Sequence, residues 1–411
     1  MSEAIRIDDL AEPRFTPDVV EIFGFMATIA ADCPLDAAEL HRLAREQTGL
    51  DDFGARDYEA RLDVLLAALR DVPGRTAAGT VTFHAQLLQL LKNRLLLTDL
   101  LRRHPEIGDL ELEPPIIIAG LPRTGTTHLH NLLAADPALR TLPYWESNEP
   151  FPLASEVGLS PDPRRVRTDL AVDFMNQAMP LFPLMHEMTT DHVHEEIALL
   201  AIDFSTMYFE TFADVPAWRA YYRGHDQTPH YRYLHTVLQA LQHVRPSGER
   251  WLLKSPQHLE QLPVLASVFP DATVVLTHRD PVAVSVSMAT MVAYTSRTHT
   301  DHVDVSGLAH GWVDRIDDLL TGCVRDREVL GPDRSLDVRF DEFMADDLGT
   351  VHAIYDLAGQ PFTERSKEGI GDYLAGHRRG RLGTIAYDPA QLGLDPDDLR
   401  ARFATYTARF L

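Results

Sequence analysis

Apolar residues recur at helical spacing through residues 60–70 (ARLDVLLAALR) and again through 83–101, and nothing up to about residue 110 alternates as a strand does. The pattern predicts a helical extension, residues 1–112, packed on the rest as a cap or wall. It breaks at Glu113-Pro114-Pro115. Ile116-Ile117-Ile118-Ala119 is short, β-branched and apolar throughout, which is how a strand buried on both faces of a parallel sheet reads. GLPRTGTT at 120–127 follows, then a helical pattern through Leu129, Leu132 and Leu133 to Asp136-Pro137. Strand, glycine loop and helix in this order make a P-loop arrangement.

Two later segments repeat the plan. Trp251-Leu252-Leu253 runs into Lys254-Ser255-Pro256 and a helix to Phe269, and TVVLT at 273–277 runs into His278-Arg279-Asp280-Pro281 and a further helix. Residues 336–340 predict a fourth strand. The expected fold class is α/β: a three-layer, P-loop-like parallel sheet flanked by helices, with the N-terminal helical extension added. The sheet domain covers residues 113–411 and carries a helical insertion at about 161–245, rich in Met, Phe, His and Glu.

Composition narrows the partners. The 411 residues carry 38 basic and 61 acidic side chains, a net charge of −23. Such a field repels nucleic acid, so an anionic ligand needs a locally built site of arginines and oriented N–H groups. Cys33 and Cys323 stand in no motif and specify neither a disulfide framework nor a zinc site. The first residues lack a signal-peptide pattern, and no apolar run approaches the roughly 18 residues of a membrane span. The expectation is a cytoplasmic protein without a transmembrane segment, with a homodimer admitted.

Candidate chemistry lies in three basic elements. In the first, N–H groups at the start of a helix bind anions. Gly120 and Gly125 let the chain turn round a phosphate, Arg123 adds fixed charge, and Thr124, Thr126 and Thr127 add hydroxyls. A nucleotide kinase would carry Lys where Thr126 stands, and a carboxylate for magnesium. The TVVLT strand ends instead in His278-Arg279. In the second element, Arg279 ends a strand and Ser287 lies eight residues on, two turns into a helix over 281–290, where the two can grip one phosphate. The third is His377-Arg378-Arg379-Gly380-Arg381-Leu382-Gly383, whose glycines suggest backbone close to a ligand.

With these three elements in order, the chain resembles the PAPS-dependent sulfotransferases, above all the bacterial branch similar to the tyrosylprotein sulfotransferases. GLPRTGTTHLHNLLAADP looks like that branch's 5′-phosphosulfate loop, with Arg123 where the cytosolic enzymes carry Lys. Arg279 and Ser287 match the family's 3′-phosphate pair, and Arg378, Arg379 and Gly380 open a run like its C-terminal R-K-G-x-x-G. Lys254-Ser255-Pro256 falls where the cytosolic enzymes have K-T-H, so Pro256 stands in place of their catalytic His. The resemblance spans roughly residues 40–411. It implies PAPS as donor, PAP as product, no metal, and a sulfuryl group passed in line to a hydroxyl or amine of a small-molecule, lipid or glycoconjugate acceptor.

The proton acceptor is then sought elsewhere. The tyrosylprotein branch uses a glutamate downstream of the loop, and Glu146 in Tyr144-Trp145-Glu146 lies in that region. A carboxylate beside Trp145 is expected to have a raised pKa, which suits a base. Rivals are His194, Glu195 and Glu196, with His128, His186 and His258. Lys254 or Arg123 would stabilise the leaving phosphate. The spacing of His186, His192 and His194 fits no common metal-ligand pair. A P-loop nucleotide kinase and a non-catalytic nucleotide-binding module remain as alternatives.

Overall fold

The computed structural model describes residues 4–377 and 381–411. Helices α1 (Pro17–Ile29), α2 (Ala37–Thr48), α3 (Tyr58–Arg70) and α4 (Ala77–Arg103) open the chain. Their ends follow from capping chemistry. The Asp36 carboxylate accepts the Glu39 N–H to start α2, and the Thr76 hydroxyl accepts the Gly79 N–H to start α4.

Among the described residues, β1 (Glu113–Gly120), β2 (Leu139–Arg140), β3 (Arg250–Lys254), β4 (Thr273–His278) and β5 (Ser335–Arg339) form one parallel sheet, in the order β2-β3-β1-β4-β5. Three details differ from the sequence pattern. β1 begins at Glu113, before the apolar run, with a register shift between Glu113 and Ile116 where the two prolines withhold N–H groups. β5 ends at Arg339, so that Phe340 begins a helix. β2 is too short to leave a periodic signature.

The side chains of β1 alternate between two layers. Ile117 and Ala119 enter the larger core, with residues of the N-terminal helices and the insertion, while Ile116 and Ile118 enter a second core with Leu129, Leu132 and Val351. All four strand residues are fully buried. Each isoleucine contributes roughly 1.5–3 kcal/mol of burial. Helix α5 (Thr126–Ala134) covers the second face, and α6 (Tyr144–Asn148) follows it. The insertion contains α7 (Pro163–Ala178), α8 (Phe182–Met185), α9 (Ile197–Leu200), α10 (Pro216–Arg223) and α11 (Thr228–Val244). Then come α12 (Leu262–Val268), α13 (Pro281–Ser296) and α14 (Val305–Asp326).

A buried carboxylate ties the N-terminal helices to the insertion. Asp203 Oδ1 accepts from Arg61 at 2.9 Å and from Arg94 at 2.8 Å, and Oδ2 meets His230 Nδ1 at 2.6 Å. These partners come from α3, α4 and α11, so the contact locks the extension in place. β1 lies between β3 and β4, and the chain passes from β3 to β4 across it. Such a topological switch leaves a crevice beyond the carboxyl ends of the strands. The loop after β1, Lys254 at the end of β3 and Arg279 after β4 all open into that region.

Candidate active site

The loop after β1 is shaped by close approach. A Cβ at Gly120 would lie 1.9 Å from Thr277 Oγ1 on β4, so only glycine fits there. Thr124 Oγ1 bonds the Leu121 carbonyl at 2.6 Å and shares a 2.6 Å hydrogen bond with Thr277 Oγ1. Arg123 has φ +72° and Gly125 φ +86°. A left-handed arginine is costly and persists where its surroundings hold it. Helix α5 then starts at Thr126, with the N–H groups of its first turn free of intrahelical partners.

The loop and the element after β4 converge. Arg123 Nε donates to Ser287 Oγ at 2.9 Å, one of its terminal nitrogens donates to the Met185 carbonyl, and the other donates to Tyr387 Oη at 3.0 Å. Arg279 donates to the Arg123 carbonyl at 2.6 Å and lies 4.1 Å over the Phe340 ring. The sequence pairs Ser287 with Arg279; in the structure the hydroxyl meets Arg123, because the left-handed turn swings that side chain across to α13. Among the described residues, neither guanidinium is ion-paired to a carboxylate, in a chain of 61 acidic and 38 basic residues. Burial, and then the Arg123 charge, lower the Arg279 pKa from its ordinary value. Two partly buried like charges, neither in an ion pair among the described residues, make a candidate anion site. Met185 and Tyr387 belong to no motif, so their part was invisible in the sequence.

Lys254 is gripped from the segment 195–196. Its ammonium pairs with Glu195 Oε1, and its backbone N–H donates to Glu196 Oε2 at 2.7 Å. His130, His186, His192 and His194 gather round it. Burial first, with the charges of Lys254 and neighbouring imidazoles, pushes His192 down to about 4 and the other three well below 6.5. Burial also pushes His299 down to about 4. The stability consequence has a definite sign. Below about pH 6.5 the unfolded chain takes up protons that these folded imidazoles refuse, so stability falls with pH between about 6.5 and 4. Asp337 is raised by burial but held at about 2 by His278 and Arg327. It adds a second loss only below about pH 3.8, as pH approaches about 2. Melting temperatures measured from pH 8 to 4 should therefore fall already between 6.5 and 5; a flat profile there would mean the imidazoles are charged in the fold.

A cleft of about 520 Å³ lies beside the loop, lined by Thr127, His128, Asn131, His192, Tyr373 and His377 among others. Asn131 donates to the Thr127 carbonyl at 2.8 Å and lies 3.2 Å from His192 Nε2. Arg378, Arg379 and Gly380 lie outside the described residues. Next to them, His377 stacks on Tyr373 at 4.4 Å and Arg381 pairs with Glu187. The described residues whose three ligand atoms come within 4.8 Å of one another are His104, Glu106 and His243, which precede β1 and β3 along the chain, whereas the loop and Lys254 lie at those strands' carboxyl ends.

Glu146 is placed differently from the expectation. It is 1 % exposed, and both carboxylate oxygens are engaged by arginines. Arg245 donates at 2.8 and 2.7 Å, and Arg140 lies at 3.1 and 3.0 Å. Burial alone would raise its pKa, but Arg245 and Arg140 overcome it and hold the carboxyl below its ordinary value. The raised pKa expected from Trp145 is thus corrected: that ring faces Arg164, Arg165 and Arg245. Of the rivals, Glu196 and His258 are fully buried against each other at 2.6 Å, and His194 packs against Tyr144.

Residues 114–364 match the model of the sulfotransferase family. The chain belongs to that family. It is 25% identical over 280 residues to omega-hydroxy-beta-dihydromenaquinone-9 sulfotransferase Stf3 of Mycobacterium bovis, covering 64% of this chain and 68% of the relative. Sulfotransferase STF1 of Mycobacterium tuberculosis H37Rv superposes with a TM-score of 0.76 at 29% identity, over 90% of this chain and 98% of that one. Sulfotransferase STF9 of Mycobacterium avium does so with 0.80 at 27%, over 91% and 96%. The protein is a sulfotransferase with a P-loop-like α/β fold. No helix among the described residues is long and apolar enough to cross a membrane.

Proposed function

We propose that this sulfotransferase takes its sulfuryl group from PAPS and transfers it to a hydroxyl of an apolar, lipid-like acceptor, with Glu195 rather than Glu146 receiving the proton. The observation that carries the donor is the pair Arg123 and Arg279, joined through the Arg123 carbonyl and neither ion-paired to a carboxylate among the described residues. Beside the first-turn N–H groups of α5 and the adjoining cleft, they fit a nucleotide with phosphates at both ends.

Bound PAPS supplies the sulfuryl group, and PAP remains after transfer. Arg123, Arg279 and Ser287 hold phosphate, while Thr124, Thr126 and Thr127 and the loop N–H groups face the phosphosulfate end. Glu195 Oε1 is held by the Lys254 ammonium, and Oε2 accepts no hydrogen bond from the described residues. An open lone pair is what a base needs and what Glu146 lacks. Glu195 takes the acceptor proton as the new O–S bond forms, and Lys254 offsets charge on the phosphate oxygen as the old S–O bond breaks. Leu181, Phe182 and Leu184, with Met185 bonded to Arg123, supply an apolar wall next to the loop. The menaquinone-derived acceptor in the name of the relative Stf3 supports the same class.

Calorimetric titration with PAP, with and without Mg²⁺ and against ATP, tests the donor. PAP should bind without metal, and Arg279→Ala should weaken it about 10- to 150-fold, the equivalent of about 1.5–3 kcal/mol for a charge-assisted contact. Tighter binding of Mg²⁺–ATP would favour the kinase alternative. Labelled PAPS offered with long-chain or polyprenyl alcohols then tests the acceptor class; transfer confined to soluble polar alcohols would refute it.

A further inference from the structure

Lys254 sits at the end of a buried chain of polar groups that starts at Tyr231 on α11. Tyr231 Oη lies 2.9 Å from His258 Nδ1, His258 Nε2 lies 2.6 Å from Glu196 Oε1, and Glu196 Oε2 accepts the Lys254 N–H at 2.7 Å. Tyr231, His258 and Glu196 are each completely buried. The directions of these bonds follow from chemistry. The Glu196 carboxylate can only accept, so the His258 proton facing it sits on Nε2. Nδ1 is then left to accept from the Tyr231 hydroxyl. One Glu196 oxygen is thereby fixed, and the other fixes the backbone at the end of β3.

We infer that Glu196, held by His258 and Tyr231, is a positioning residue that sets where Lys254 and Glu195 face the transferring group. The adjacent residues Glu195 and Glu196 grip Lys254 at its two ends, ammonium and backbone N–H. A carboxylate in so dry a place is costly unless every lone pair has a use, and here both oxygens have a partner. Displacement of a reacting group by about 1 Å can cost about 100-fold in rate.

The inference rests on the reading that Lys254 and Glu195 act on the transfer, and the test separates the two. Glu196→Gln and Tyr231→Phe are compared with wild type for kcat, acceptor KM and PAPS affinity. In Glu196→Gln, kcat should fall about 10- to 100-fold with PAPS affinity unchanged. In Tyr231→Phe, which removes one oxygen and keeps the ring, kcat should fall less, because Glu196 still holds His258 at Nε2 and only the partner of Nδ1 is lost. If Glu196→Gln does not fold, Tyr231→Phe decides alone. Wild-type kcat in the folded variants, or a loss of PAPS affinity in step with kcat, would overturn the inference. Wild-type turnover in Glu195→Gln would instead sink the reading of Glu195 as base, leaving the placement of Lys254 to be judged by the other two variants.

Discussion

Lys254→Met is expected to lower kcat about 100- to 1000-fold and to weaken PAP, on whose phosphate oxygen the charge ends, while leaving PAPS affinity nearly unchanged. The side chain is buried, and its ammonium is fixed by Glu195 at the edge of β3, in register with Ile118 next to the loop. A preorganised cation at a dry site acts mainly where charge develops in the transition state, and removing one such group costs about 100- to 1000-fold in rate. Methionine preserves the length of the side chain, so packing is nearly conserved. A second readout comes from His192. Burial is the main cause of its low pKa of about 4 and the Lys254 charge is the next. The variant should raise it part of the way towards the ordinary 6.5, as followed by NMR titration. A rise in the His192 pKa with unchanged kcat would make Lys254 structural only.

Glu146→Ala should cost about 3–5 kcal/mol of stability with turnover per folded molecule near wild type. Arg140 is completely buried, its guanidinium 4.3 Å over the Trp251 ring, and Glu146 is its one ion-pair partner among the described residues. Removing one member of such a pair leaves an uncompensated buried charge, which accounts for the size of the loss. Chemical denaturation at pH 7 measures it. The pH dependence has a sign as well. The folded carboxyl lies below its ordinary 4.5, so its contribution is complete above that pH and is lost as pH falls through the folded value. A variant of wild-type stability with abolished turnover would restore Glu146 as the base.

Both residues illustrate how far the sequence can be read. Lys254 stood out because it follows a recognisable strand, and the structure puts it at a strand end. Glu146 stood out because it lies in the region where the tyrosylprotein branch carries its glutamate base, and that resemblance did not reveal that Arg245, 99 residues on, reaches back to it. Likewise Glu195 meets Lys254 across 59 residues and Asp203 meets Arg61 across 142. No local pattern encodes such pairings. The spacing of His186, His192 and His194 fitted no common metal-ligand pair in the sequence; that burial lowers their pKa values is decided by the fold.

The parallel sheet, the strand–loop–helix units, the glycines at the end of β1 and in the turn before α5, and the basic elements proposed to hold phosphate were determined by the sequence alone. Each depends on side-chain periodicity or on backbone freedom within a few residues, and such short-range effects survive in any tertiary setting. Which carboxylate stays open to an acceptor, which arginines stay unpaired and which imidazoles stay neutral were decided only by the tertiary structure. Those properties are set by what lies within a few ångströms in space, and folding brings there residues from distant parts of the chain.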